Sequence, residues 1–181
     1  ADGTGSSLEL RHPGNDNNVA GSWAPSIESG EGQSFTYTGT AINDGIGNNV
    51  YHEFLIALLD AGEFLLDDVS VIENGSIEFI QNGDFESDTL GSTANKWRAL
   101  GTHGSHGKTI VVTDPDDPGN QCLHVVATGP TEDKHNKLET TFANSERVVA
   151  GREYTISFRA KWISGSNQIN SRLYFNYLQR T

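Results

Sequence analysis

Two acidic segments that lie close together in the chain have the residue types of a cation site. Asp67 and Asp68 fall within an apolar strand pattern, and Asp84 and Glu86 follow shortly afterwards. Ca²⁺ binds six to eight oxygens, mostly from carboxylates and carbonyls. Side chains alternate across a strand, so only one of Asp67 and Asp68 can face the core side, where a cation would offset its loss of hydration. The segments predict a calcium site; the alternative is a set of solvated strand-end carboxylates.

A third acidic segment, residues 114–120, alternates Asp with Pro, Gly and Asn. These residues favour tight turns, because Pro fixes φ and Asp or Asn side chains bond to the nearby backbone. We therefore expect a solvated hairpin loop there, and the same holds for residues 15–18.

Short apolar runs separated by turn residues dominate the chain. Runs rich in β-branched and aromatic residues recur between Gly, Asn, Asp and Pro clusters, and no long segment has a helical period. The sequence predicts an all-β protein built as a β-sandwich or a barrel. The expected strands cover residues 7–11, 23–27, 34–41, 50–59, 63–72, 77–82, 97–101, 109–113, 121–128, 137–142, 153–163 and 171–178.

Alternating residues in three of these strands predict a polar outer face. In residues 153–163 every second side chain, from Tyr154 to Trp162, is apolar and is expected in the core. If this strand shares a sheet with 121–128 and 171–178, the outward side chains form one patch. The candidate ligand-binding residues there are Arg159, Lys161, Arg172, Tyr174, Asn176, His124 and His135.

Composition narrows the classes of partner. The chain has 24 acidic and 12 basic residues, and its net charge of −12 argues against nucleic acid, which needs a basic surface. The longest apolar run, residues 54–59, is too short to span a membrane. Cys122 is the only cysteine, so no internal disulfide can form, and its apolar surroundings predict a buried thiol.

Several motifs together resemble the jelly-roll carbohydrate-binding modules of bacterial polysaccharide-degrading enzymes. They are Ile80-Gln81-Asn82-Gly83-Asp84-Phe85-Glu86, Trp97, the strand from Tyr154 to Lys161, and Leu66-Asp67-Asp68-Val69-Ser70-Val71. The resemblance implies a jelly roll with a structural Ca²⁺. By motif position Asp68 and Glu86 would be side-chain ligands, joined by Asp84 or a carbonyl near Gly83, and by a carbonyl from the loop that contains Lys108.

The motifs occur in an order that differs from this family. The Asn-Gly-Asp-Phe-Glu segment normally precedes the Asp-Asp-Val strand, whereas here residues 1–74 carry the second half of the pattern and 75–181 the first. One interpretation is a single, circularly permuted domain over residues 1–181; the other is two half-modules cut from a tandem pair. Half a sandwich would expose sheet edges and an apolar face, so we favour the permuted domain.

The first part of the chain has a second resemblance. The segments 5–11 and 21–26 are similar to the end of a lamin-tail-type domain, so residues 1–30 are expected to include linker or part of a neighbour. This context predicts an extracellular or cell-surface module, monomeric within a larger secreted bacterial protein, without insertion into a membrane.

Motifs for catalysis are missing from the sequence. It contains no His-Glu-x-x-His zinc motif and no Gly-x-Ser-x-Gly elbow, and the Gln-Ile-His pattern of jelly-roll lyases is replaced by Gln168-Ile169-Asn170. The sequence therefore predicts a non-catalytic polysaccharide-binding module. The alternatives are a structural or adhesive spacer and a polysaccharide lyase.

Overall fold

The fold was derived from a computed structural model, which describes residues 8–10, 16–25, 32–42, 52–100, 106–130, 137–173 and 177–181. The chain divides into two compact units, residues 1–31 and residues 32–181. The strands, numbered in chain order, are β1 (Leu8–Leu10), β2 (Trp23–Pro25), β3 (Gln33–Thr40), β4 (Glu53–Leu58), β5 (Gly62–Glu73), β6 (Ile77–Glu78), β7 (Trp97–Leu100), β8 (Ile110–Thr113), β9 (Gln121–Ala127), β10 (Lys137–Thr141), β11 (Glu153–Gly165), β12 (Ile169–Leu173) and β13 (Tyr177–Arg180).

The first unit contains a small antiparallel pair. Strands β1 and β2 pair with Leu8 opposite Pro25, and a 3₁₀ turn over Ala20–Ser22 leads into β2. The Trp23 indole N–H donates to the Asn17 carbonyl at 2.8 Å, which ties the loop to the second strand.

The second unit is the all-β sandwich that the sequence predicts. One sheet has the order β3-β11-β5-β9-β8, with the short β6 on β5, and the other has the order β13-β12-β4-β10-β7. All pairings among them are antiparallel. The described helical segments are single 3₁₀ turns, and none of them has the length needed to cross a membrane.

Both parts of the sequence contribute strands to both sheets. Strand β5 lies between β9 and β11, and β4 lies between β10 and β12. The central positions of the two sheets are therefore filled by early strands whose neighbours all come from residues after 74.

The core follows the period-two pattern of the longest strands. Tyr154, Ile156, Phe158 and Ala160 of β11 are at most 8 % exposed, as their alternation predicts. The prediction for Trp162 is wrong, because its side chain is 40 % exposed. The edge strand β3 begins its pairing opposite Ala160, so β11 extends beyond its neighbour at Trp162.

An irregularity in β5 shapes the acidic region. The register between β5 and β11 shifts between Ser157 and Arg159, where two residues of β5, Asp68 and Val69, face one residue of β11. Asp68 has φ = 52°, a left-handed conformation that Asp adopts more easily than most residues. This β-bulge bends the strand, so that the Val69 N–H donates to the Gly83 carbonyl at 2.9 Å instead of to a ladder partner.

Candidate functional site

Arg159 is held by two buried carboxylates on the outer face of the six-stranded sheet. Its guanidinium donates to Asp67 Oδ2 at 2.7 Å and to Asp114 Oδ2 at 2.5 Å. The side chains of Asp67 and Asp114 are only 4 % and 3 % exposed. Asn120 Nδ2 also donates to Asp67 Oδ2, at 2.8 Å. Arg159 therefore fastens the segment 114–120, which we call the acidic turn, onto the sheet.

Hydrogen bonding and burial together shift the pKa values of the side chains in this cluster. Hydrogen bonding to Asp67 is the main cause that raises the pKa of Arg159, while burial opposes it. Burial disfavours the charged form of Asp114, but its hydrogen bonds and proximity to Arg159 outweigh this cost and lower its pKa. Cys122 lies beneath the same side chains, and burial raises its pKa to about 12, so it is an uncharged, buried thiol as expected.

The other two candidates on this face also contact carboxylates. Lys161 Nζ lies 2.8 and 2.6 Å from the carboxylate oxygens of Asp116, which belongs to the acidic turn. His124 Nε2 lies 2.8 Å from Glu63 Oε2 on the neighbouring strand. The acidic turn is a hairpin loop, as predicted, but its first residue is buried and two of its carboxylates bind cations of the sheet.

Arg172 lies in the other sheet. Strand β12 pairs with β4, so the predicted patch is divided: Arg159, Lys161 and His124 lie in the six-stranded sheet, and Arg172 lies in the five-stranded one. Burial lowers the pKa of Arg172. Tyr174, Asn176 and His135 lie outside the described residues.

A charged row that sequence analysis missed crosses the outer face of the five-stranded sheet. Four residues lie opposite one another on neighbouring strands, in the order Arg98 (β7), Glu139 (β10), Leu55 (β4) and Arg172 (β12). Arg98 donates to Glu139 Oε1 at 2.6 Å, and Lys137 Nζ lies 3.6 Å from Glu139 Oε2. Burial is the main cause that lowers the pKa of Lys137. Alternation in such short strands gives no sign that a lysine will be buried.

The predicted cation ligands partly converge. Partial loss of hydration and then the adjacent Asp67 raise the pKa of Asp68, and Asp84 and Glu86 add to the shift in the same direction. Carboxylates from the β5 bulge and from the 82–86 segment therefore lie within electrostatic reach of one another. Among the described residues, no three His, Cys, Asp or Glu side chains are placed closely enough to hold a metal ion.

Backbone contacts explain how these two segments meet. A Cβ atom at Gly83 would lie 1.9 Å from the Val69 carbonyl oxygen, so only glycine permits this approach. Glu86 Oε1 accepts a hydrogen bond from the Gln121 N–H at 2.7 Å. Glu86 thus already has a partner, and it lies at the Thr113 end of β8, where Gln121 pairs.

Lys108 lies at the opposite end of β8. It lies in a turn just before β8 begins at Ile110, and the strand extends about 10 Å from Ile110 to Thr113. The neighbouring His106 is buried, and its Nε2 accepts the Leu58 N–H at 3.1 Å. The structure therefore does not bring Lys108 to the carboxylate group, because its loop turns toward β4.

A groove of about 420 Å³ opens between the edge strands of the two sheets, where β3 faces β12 and β13. We call it the edge groove. Phe35 of β3 stacks on Phe158 of β11 with ring centres 5.4 Å apart, and Phe35 remains 43 % exposed. The described residues that line it are Phe35, Thr36, Tyr37, Phe158, Asn167, Gln168, Ile169, Ser171, Arg180 and Thr181.

Tyr37 and Arg180 form the polar side of the edge groove. The Tyr37 hydroxyl donates to the Leu178 carbonyl at 2.9 Å and lies 3.1 Å from Ser171 Oγ. Burial raises the pKa of Tyr37 to about 12. The Arg180 guanidinium carbon lies 5.8 Å from the centre of the Tyr37 ring, in cation–π contact.

Sequence analysis did not identify the edge groove. The sequence left open on which face of the sheet Tyr37 lies, and Phe35, Gln168 and Arg180 were not candidates. These residues meet only because β3 and β13 are edges on the same side of the sandwich. A weak sign was available: Phe35 and Tyr37 are aromatic residues two apart in a strand otherwise rich in Thr, Ser and Gly.

Comparison with known proteins adds no relative. No protein-family model, no curated protein and no solved structure matches the chain. The features that bear on function are therefore the sandwich and its surface.

Proposed function

We propose that the chain is a non-catalytic carbohydrate-binding module and that the edge groove is its sugar site. The observation that carries the proposal is the partly exposed Phe35 ring, stacked on Phe158 and facing a groove with amide and hydroxyl side chains. A pyranose ring has an apolar C–H face and a rim of hydroxyls, so it needs this combination of surfaces.

The dimensions and chemistry of the edge groove favour a sugar over a purely apolar ligand. Its volume lies within the range of about 300–1,000 Å³ typical of small-ligand sites. Asn167 and Gln168 are exposed, so their amides can donate to and accept from sugar hydroxyls. The aromatic pair supplies area that is already ordered, which reduces the entropy lost on binding.

The lining of the edge groove favours binding without catalysis. Cleavage of a glycosidic bond or elimination from a uronate needs a positioned acid or base. The lining side chains are aromatic, amide, hydroxyl and aliphatic groups with one guanidinium. The proposal therefore assigns no reaction to this groove.

The outer face around Arg159 is a poorer candidate for the sugar site. Arg159 and Lys161 each bind carboxylates at hydrogen-bonding distance, so a ligand would have to compete with fixed intramolecular anions. The retention of the acidic turn is a sufficient role for both residues.

A structural Ca²⁺ remains part of the proposal. Asp68 and Asp84 are exposed. Partial burial is the main cause that raises the pKa of Asp68, Asp67, Asp84 and Glu86 add to it, and Arg159, with Nε 3.8 Å away, opposes it. A divalent cation would offset the repulsion among these carboxylates. The proposed ligands are Asp68, Asp84 and Glu86, which are not placed closely enough in the structure to hold an ion, so binding would have to draw their side chains together. Gly83 could offer its carbonyl only beside the existing bond from Val69. Such an ion would join the β5 bulge to the 82–86 segment.

The strand arrangement, the parent protein and the partner are also part of the proposal. We propose a jelly-roll arrangement with permuted strand order, in a secreted, multi-modular bacterial protein whose partner is a polysaccharide. The resemblance in the acidic and Tyr-x-Ile-Ser-Phe motifs supports this, and the antiparallel sandwich is compatible with it.

Affinity electrophoresis against plant and algal polysaccharides tests the function. The unaltered protein should be retarded by at least one glycan, and Phe35→Ala should abolish the retardation because it removes the stacking surface. Leu90→Ala is the matched control, because Leu90 is also an exposed apolar side chain, at 55 %. It lies far from the edge groove: the next residue, Gly91, bonds to β8, and β8 is the edge of the sheet opposite β3. Absence of binding to every glycan would favour the spacer role instead.

A further inference from the structure

We infer that the edge groove selects sugars that carry a carboxylate, with Arg180 as the residue that recognises it. This inference rests on the proposed function and names its ligand class: a uronate-containing polysaccharide.

The charge of the edge groove favours an acidic sugar. Among the described residues that line the edge groove, Arg180 has the only charged side chain. The whole chain carries a net charge of −12, so an acidic glycan is repelled at long range and needs a local cation to bind. A carboxylate gains a charge-assisted hydrogen bond from this guanidinium, and a neutral hydroxyl does not.

The positions of Phe35, Tyr37 and Arg180 also favour a sugar with a carboxylate. Phe35 and Tyr37 are two residues apart in β3, so both project to the same face, about 7 Å apart along the strand. Arg180 lies over the Tyr37 ring. A pyranose stacked on Phe35 would therefore direct a substituent of the ring toward the guanidinium, over a distance that a carboxylate can bridge.

The position of Arg180 is also prepared by the backbone. The buried Asn170 donates through Nδ2 to the Arg180 carbonyl at 3.1 Å and to Thr181 Oγ1 at 2.9 Å. The Tyr37 ring supports the guanidinium from one side and leaves its exposed edge for two parallel hydrogen bonds to a carboxylate. Tyr37 itself does not repel an anion, because a phenol is neutral at pH 7 and burial raises its pKa further, to about 12.

Calorimetric titration with defined oligosaccharides tests the inference. The ligands are oligogalacturonate, its fully methyl-esterified form, and a sulfated neutral oligosaccharide of the same length. We expect oligogalacturonate to bind about 10- to 100-fold more tightly than the ester, the range of a charge-assisted hydrogen-bonded pair. Its affinity should fall with salt, and that of the ester should not.

Two variants locate the recognition. Arg180→Gln should remove the preference for the free acid and leave the weaker binding of the ester. Arg98→Gln removes the same charge from β7, at the edge of the five-stranded sheet opposite β13, and should keep the preference. Retention of the preference in Arg180→Gln would overturn the inference.

The remaining outcomes separate the two levels of the proposal. Equal binding of the acid and the ester, lost in Phe35→Ala, would overturn acid selection and leave sugar binding intact. Binding of the sulfated sugar without the uronate would overturn the assignment of a carboxylate. No binding of any ligand, here and in the polysaccharide series, would overturn the proposed function itself.

Discussion

The substitution Arg159→Ala distinguishes a structural residue from a ligand-binding one. It removes the cation that neutralises Asp67 and Asp114, whose side chains are 4 % and 3 % exposed. Loss of one partner from a buried ion pair costs about 3–5 kcal/mol, because the remaining charge stays buried without compensation. A domain of this size has a total stability of about 5–15 kcal/mol, so the loss is a large fraction of it.

Urea denaturation at pH 7 measures this loss. With a slope of about 2 kcal/mol per M urea, the midpoint should fall by roughly 2 M. Lys161→Ala is the matched control on the same strand and face. Its partner Asp116 is 38 % exposed, so breaking that pair should cost at most about 1 kcal/mol.

The pH dependence provides a second readout. Arg159 helps to hold the pKa of Asp114 below its usual range, so this stabilisation is present above the unfolded-state pKa of about 4 and is lost as the pH falls through the folded-state value. The difference between the unaltered protein and Arg159→Ala should therefore be largest near neutral pH and shrink below about pH 4. A variant as stable as the parent at pH 7, with reduced glycan binding, would refute this reasoning and restore Arg159 as a ligand residue.

Three further predictions address other parts of the sandwich. Gly83→Ala should cost about 3 kcal/mol in chemical denaturation, because its Cβ would meet a backbone carbonyl at 1.9 Å, whereas Gly119→Ala, with its nearest contact at 3.4 Å, should be nearly neutral. Burial lowers the pKa of His106 to about 4, below its usual 6.5, so protonation of the unfolded chain should remove about 3 kcal/mol of stability as the pH falls from 6.5 to 4. His106→Gln should lose that part of the acid sensitivity, and His124→Gln should retain it. Addition of Ca²⁺ should raise the melting temperature of the parent but not of Asp68→Asn. Without Ca²⁺, this variant should equal or exceed the parent in stability, since it removes a charge that partial burial and then the neighbouring carboxylates disfavour.

Local pattern was sufficient to predict an all-β fold, and the motif resemblance was needed to choose a sandwich over a barrel. Strict alternation in β11 placed Tyr154, Ile156 and Phe158 in the core, because a strand exposes its two faces at a period of two whatever its neighbours are. It failed at Trp162, where the same alternation continues but the adjacent edge strand has ended. The extent of a neighbour is a tertiary property that the alternation of one strand does not contain.

The candidate site was less accessible to sequence reasoning for the same reason. Arg159 resembles a free cation in the sequence because its partners Asp67 and Asp114 are 92 and 45 residues away. The proximity of Phe35 to Arg180 depends on which strands form the edges of the two sheets. The acidic segments were easier, since Asp68 and its counterparts are near one another in the chain.

The interleaved order of the strands has a consequence for biosynthesis. During translation β4 and β5 emerge from the ribosome well before β9, β10, β11 and β12, the strands between which they will lie; only the two-residue β6 follows β5 directly. At about 5–20 residues per second, most of the length of these apolar segments waits several seconds without hydrogen-bonding neighbours. A nascent chain of this kind must be shielded until β12 has been made, and we expect slow, late folding that benefits from a chaperone.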